Sequence, residues 1–270
     1  MKILKKITVF FLVLTLLITA AGFNVTSTAA QQTESTQPLK ILAIGNSFSV
    51  DSMRFIYDMF DWVGQKVILG NLIIGGCTLE MHANNIINEA ANYTYYKNTT
   101  GTWKTKSGYT VQQGLADESW DIITLQQASG YSGIPSSYSY LSTILNFLEA
   151  NKPTPETRIM WNMTWAYQKN SSHSDFKKYD KNQLTMYNAI ISTVQSQIVG
   201  NPSFSGIIPT GTAIQNLRTS YFGDTLTRDG YHLSYDYGRY TASLTWFHYL
   251  TGISPDMVNW VPPEYPYIAN

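Results

Sequence analysis

Cysteine is almost absent: Cys77 stands alone in 270 residues. A disulfide within the chain is therefore excluded, and so is a cysteine-built zinc site. Charge is sparse and balanced, with 18 Lys and Arg against 18 Asp and Glu. No basic run occurs beyond the first few residues, which argues against nucleic acid as a main ligand. No His-Glu-x-x-His or comparable metal spacing is present, and no glycine-rich phosphate loop. Only 7 glutamates occur, and none closely follows a predicted strand. A glycosidase needs two carboxylates across the scissile bond, so that chemistry is disfavoured. No metal or organic cofactor is expected.

What is present begins with a leader. Lys2, Lys5 and Lys6 precede an apolar run from Ile7 to Ile18, and small residues follow as far as Ala29 and Ala30. This pattern predicts a secretory signal peptide over residues 1–30, cut after Ala30, with an uncleaved membrane anchor as the alternative. The apolar run is shorter than the ~20 residues of a spanning helix. The expected product is a secreted, extracellular protein with no stable membrane association, carrying 15 basic and 18 acidic residues. Residues 31–38 are polar and read as a linker. Residues 39–270 suffice for one domain with one sizeable core.

Short continuous apolar runs alternate with stretches of helical spacing. Strands are predicted at Lys40–Ile44, Val67–Ile74, Asp121–Leu125, Arg158–Met163 and Gly206–Ile208. Helices are predicted over 50–64, 79–91, 111–118, 138–150, 183–199 and 235–250, with Ser234 as the last N-cap. Tyr93–Lys97 and Thr102–Lys106 flank a turn and predict a hairpin, either over a site or on the surface. Uninterrupted apolar strands alternating with helices predict an α/β protein: a three-layer α/β/α sandwich with a flavodoxin-like, parallel five-stranded sheet. Ligands bind beyond the carboxyl ends of such strands. The residues to weigh are therefore Gly45-Asn46-Ser47, Gly75-Gly76, Gln126-Gln127, Thr164-Trp165 and Pro209-Thr210.

Ser47 sits between the first strand and the first helix. A serine there either caps the helix or, given a base within hydrogen-bond reach, acts as a nucleophile. Asp229 and His232 are three residues apart ahead of the last helix. That spacing lets a carboxylate hold one imidazole nitrogen while the other faces outward; taken alone, it could equally be a local structural hydrogen bond. His82 and His248 read as packing or surface residues, and His173 as solvated.

Taken together, Gly45-Asn46-Ser47-Phe48-Ser49 and the late Asp229-x-x-His232 resemble the SGNH-hydrolase (GDSL-like) superfamily. Asn46 stands in place of the usual aspartate. The resemblance spans roughly residues 40–250. It implies Ser47 as nucleophile, His232 as base and Asp229 as the acid that orients it. It also implies an oxyanion hole made by the N–H groups of Ser47 and Gly76, with Gly75 the near alternative to Gly76. The family's third block, Gly-x-Asn-Asp, is replaced here by Leu125-Gln126-Gln127-Ala128. Gln127 is the candidate third oxyanion donor and Gln126 its alternative; otherwise the two glutamines simply cap a strand. Asn46, Gln126 and Trp165 are candidate substrate contacts, although Trp165 also suits a core.

The implied activity is hydrolysis of carboxylic esters, on a small-molecule or polysaccharide substrate. Export, the abundance of aromatics, 19 Tyr and 7 Trp, and the resemblance together suggest a carbohydrate ester, such as O-acetyl groups on a polysaccharide, with lipid and small aryl esters as the alternatives. The alternative is a non-catalytic carbohydrate-binding protein on the same scaffold.

Overall fold

Strands buried on both faces have no need of polar alternation, and β1 (Leu39–Gly45) has none: Ile41 through Gly45 are all buried. The computed structural model describes residues 37–269. The expected leader and all but the end of the expected linker lie outside them. The other strands are β2 (Val67–Ile73), β3 (Tyr93–Asn98), β4 (Trp103–Tyr109), β5 (Ile122–Leu125), β6 (Arg158–Asn162) and β7 (Gly206–Ile208). They form one sheet in the order β4-β3-β2-β1-β5-β6-β7. Strands β2, β1, β5, β6 and β7 pair in parallel. Numbered among themselves, these five run 2-1-3-4-5, the flavodoxin-like order.

The helices are α1 (Ser47–Ser52), α2 (Ile56–Trp62), α3 (Leu79–Ile87), α4 (Val111–Ala116), α5 (Leu141–Asn151), α6 (Gln183–Gln197), α7 (Thr210–Leu217) and α8 (Tyr237–Thr251). They divide between the two faces, as β1 shows. Leu42 and Ile44 join a cluster with Leu79, Val111, Ile144 and Ile190, from α3 to α6. Ile41 and Ala43 join another with Ile56, Phe60, Trp246 and Phe247, from α2 and α8. Successive side chains of a strand point to opposite faces, so one apolar run feeds two cores.

Three expectations need correction. The single helix expected over 50–64 is two, α1 and α2. Ser243 of α8 fills the break: its hydroxyl donates to the Ser52 carbonyl at 2.9 Å and accepts the Phe55 N–H at 3.1 Å. The hairpin is the surface one of its two readings, with most of β4 exposed, but the sheet it joins was expected to have only five strands. β3 adds antiparallel to β2, and β4 to β3, extending the five-stranded sheet to seven. The last helix begins at Tyr237, with Asp236 at its N-cap. Ser234, two residues earlier, nevertheless accepts the Gly238 N–H at 3.0 Å.

His82 on α3 is fully buried. Its Nδ1 is 2.8 Å from the Tyr93 hydroxyl, and its Nε2 has no hydrogen-bond partner. Burial disfavours the imidazolium and pushes the pKa from 6.5 down to about 4. The unfolded chain thus takes up a proton near pH 6.5 that the folded chain refuses until about pH 4. Stability conferred by the neutral ring is lost as pH falls through this window, by on the order of 3 kcal/mol. Urea unfolding near pH 7 and near pH 4.5 should reveal this loss, and His82→Met should flatten it. An unchanged pH dependence in the variant contradicts the assignment.

Candidate active site

The carboxyl ends of the parallel strands all open on one end of the sheet, and every candidate loop converges there. Gly45 ends β1 because nothing larger fits: a Cβ would lie 2.6 Å from the Ser49 hydroxyl. Asn46 then caps α1, its Oδ1 accepting the Phe48 N–H at 3.0 Å. Ser47 is the first helical residue and is half-exposed. Its hydroxyl is 2.8 Å from His232 Nε2, across 185 residues of chain.

His232 lies in the loop that precedes α8, and Asp229 shapes that loop. One oxygen, Asp229 Oδ1, accepts the backbone N–H groups of Tyr231 at 3.1 Å and His232 at 2.8 Å. The other, Oδ2, is 2.6 Å from His232 Nδ1. Burial works to raise the Asp229 pKa, but the hydrogen bonds from the His232 ring, the two backbone N–H groups and the imidazole charge outweigh it. The carboxyl is held below its usual range. An ionised carboxylate only accepts, so Nδ1 carries the ring hydrogen. The lone pair on Nε2 then faces the Ser47 O–H, which donates to it.

Asp51, which the sequence reading missed, ties the two halves together. It sits on α1 one turn beyond Ser47 and is fully buried. It accepts from Arg228 at 3.1 Å, from Arg239 of α8 at 2.8 Å and from the Leu233 N–H at 2.9 Å. Arg228 also donates to the Leu233 carbonyl. The helix carrying Ser47 is thus bonded to both ends of the segment carrying His232. The available signal was a carboxylate one helical turn after Ser47, on the same helix face.

A row of buried amides fixes the neighbouring loops. Asn46 Nδ2 donates to the Cys77 carbonyl at 3.1 Å, and Gln126 Nε2 donates to Asn46 Oδ1 at 2.8 Å. Asn162 Nδ2 donates to Gln126 Oε1 at 2.8 Å, and Asn162 Oδ1 accepts from Thr210 at 2.7 Å. Asn46 thereby tethers the turn at residues 74–77, closed by the Cys77 N–H on the Ile74 carbonyl at 3.1 Å. Gly76 occupies the third position of that turn with φ +63°, a conformation that glycine adopts without strain. Gly75 and Gly76 are exposed. Among the described residues, the N–H groups of Ser47 and Gly76 have no protein acceptor.

Four expected contacts are placed differently. Gln127 does not offer a third oxyanion donor: its Nε2 donates to the Ser137 carbonyl and hydroxyl, both at 3.0 Å. Its Oε1 accepts the Leu79 N–H, at the start of α3. Asn46 and Gln126 are buried within the amide row rather than facing substrate. Trp165 is fully buried, stacked on Phe48 at 4.1 Å, and donates to the Tyr231 carbonyl at 2.7 Å. It supports the site from beneath. His173, expected to be solvated, is half-buried against Tyr167 and Tyr231.

The family model described as a domain of unknown function, DUF4886, matches residues 40–264. A crystal structure of a DUF4886 family protein from Bacteroides uniformis superposes with a TM-score of 0.81 at 42% identity, over 86% of this chain and 92% of that one. A candidate SGNH hydrolase from Slackia heliotrinireducens gives a TM-score of 0.50 at 21% identity, over 79% and 100% of the two chains. The lipase/acylhydrolase from Enterococcus faecalis gives 0.51 at 12% identity, over 79% and 96%. These last two likenesses concern the fold. No curated protein sequence matches the chain.

Proposed function

The chain belongs to the DUF4886 family and has the SGNH-hydrolase fold; from that premise we propose that it is a secreted serine esterase that removes O-acyl groups, chiefly acetyl, from carbohydrate. The reading is carried by one observation: the unbroken hydrogen-bond chain from Asp229 through His232 to Ser47, with links of 2.6 and 2.8 Å.

Ser47 Oγ adds to the ester carbonyl as its proton passes to His232 Nε2. The carbonyl oxygen becomes an oxyanion and takes hydrogen bonds from the N–H groups of Ser47 and Gly76. Losing one such donor typically costs about 3 kcal/mol. His232 returns the proton to the leaving alkoxide, and the C–O bond breaks to leave an acyl-Ser47 ester. Water, activated by the same base, then releases the acid. Asp229 stays ionised throughout and fixes the imidazole tautomer.

Carbohydrate enters the reading through the leader in residues 1–30 and the aromatic rings beside His232. A non-catalytic carbohydrate-binding protein is favoured by one observation, the engagement of Gln127 by Ser137. Two oxyanion donors still suffice for acyl transfer, as serine hydrolases with paired backbone N–H groups illustrate. Incubation with acetylated xylan and with p-nitrophenyl acetate separates the alternatives. Release of acetate from both is expected, without new reducing ends. Acetate from neither substrate overturns the esterase reading, and new reducing ends would indicate a glycosidase.

A further inference from the structure

The geometry points to a leaving-alcohol subsite beside the base, built from Tyr231 and His173 and selective for a polyhydroxylated alcohol such as a sugar ring. This inference rests on the esterase reading and deepens it. The proton taken up by His232 Nε2 has to reach the departing alkoxide. The alcohol portion of the ester must therefore lie against His232, while the carbonyl oxygen turns towards Gly76. Whatever adjoins His232 selects the alcohol rather than the acyl group.

Two half-exposed aromatic rings extend outward from that base. Tyr231 lies 4.1 Å from the His232 ring, tilted by 39°. His173 meets Tyr231 edge-on at 4.6 Å. Both rest on the buried Tyr167, at 4.8 Å from His173 and 5.7 Å from Tyr231. The loops bearing them are pinned, because the Gly230 carbonyl accepts the Gln168 N–H at 2.8 Å and the Tyr231 carbonyl accepts from Trp165. The platform is therefore formed before substrate arrives.

Each ring also has a polar tip to spare. His173 Nδ1 accepts the Asp175 N–H at 3.1 Å, so the neutral ring carries its hydrogen on Nε2. Among the described residues, neither that Nε2 nor the Tyr231 hydroxyl has a protein partner. Apolar ring surface suits the C–H face of a pyranose, and the free tips suit its hydroxyls. An aliphatic alcohol would cover both tips without satisfying either.

The test compares kcat/KM on a mono-O-acetylated methyl xyloside, whose other ring hydroxyls are free, with kcat/KM on ethyl acetate, whose alcohol has neither ring nor extra oxygen. Tyr231→Ala and His173→Ala should each lower the ratio of the two by about ten-fold, and Tyr231→Phe by about three-fold. An unchanged ratio overturns the subsite. So does an equal fall on both esters, which would mean that the rings act only by holding His232. If the wild type hydrolyses neither ester, the esterase reading itself has failed. Calorimetric titration with xylotriose then decides the subsite alone: binding weakened by Tyr231→Ala sustains it, and equal binding or none overturns it.

Discussion

Ser47→Ala is expected to lower ester turnover by on the order of 10⁴-fold or more, with little change in KM. The hydroxyl is the atom that becomes covalently bonded, and water in its place has no imidazole aligned with it at 2.8 Å. His232→Ala should cost a similar factor, because an unassisted serine hydroxyl is a weak nucleophile at neutral pH. The double variant should be scarcely worse than either single one, since groups that act as a unit are lost together. Initial rates on p-nitrophenyl acetate give all three values. Strictly multiplicative losses would mean that Ser47 and His232 work separately, contrary to the hydrogen bond between them.

Asp51→Ala should be the most damaging substitution away from the reacting atoms. Asp51 is fully buried between Arg228 and Arg239. Its removal leaves two guanidinium groups facing each other without a counter-ion. Breaking a buried pair in this way costs about 3–5 kcal/mol, or a fall in Tm of roughly 10 °C for a domain of this size. The Leu233 N–H loses its acceptor as well, so the segment bearing His232 is released from the helix bearing Ser47. Turnover measured well below the lowered Tm should therefore also decline. Thermal unfolding followed by calorimetry, paired with rates at 20 °C or so below Tm, measures both effects. A Tm within about 1 °C of wild type would show that the two arginines do not depend on this carboxylate.

The two halves of the candidate triad were legible as local motifs, but that Ser47 joins His232 across 185 residues was implied only by the resemblance to SGNH hydrolases. Asp229 and His232 are three residues apart and fold into one turn, and Ser47 follows an apolar strand. The parallel sheet was legible because β1, β2 and β5 are apolar without alternation. The role of Asp51 was not, since its partners are 177 and 188 residues away and nothing local designates them. The amide row was hidden for the same reason: Asn46, Gln126 and Asn162 meet only once three strands align. Gln127 was misread because residue type gives donor capacity but not reach. The hairpin was recognised but not its attachment, because an edge strand is defined by the neighbour it pairs with.

The central claim is that Ser47 is a nucleophile activated by His232. Reaction with a fluorophosphonate, followed by peptide mapping, tests it without any knowledge of the substrate. A single phosphonylated residue at Ser47 is predicted, with labelling abolished in His232→Ala while that variant keeps its fold. Labelling elsewhere, or labelling of Ser47 at an undiminished rate without His232, would contradict it.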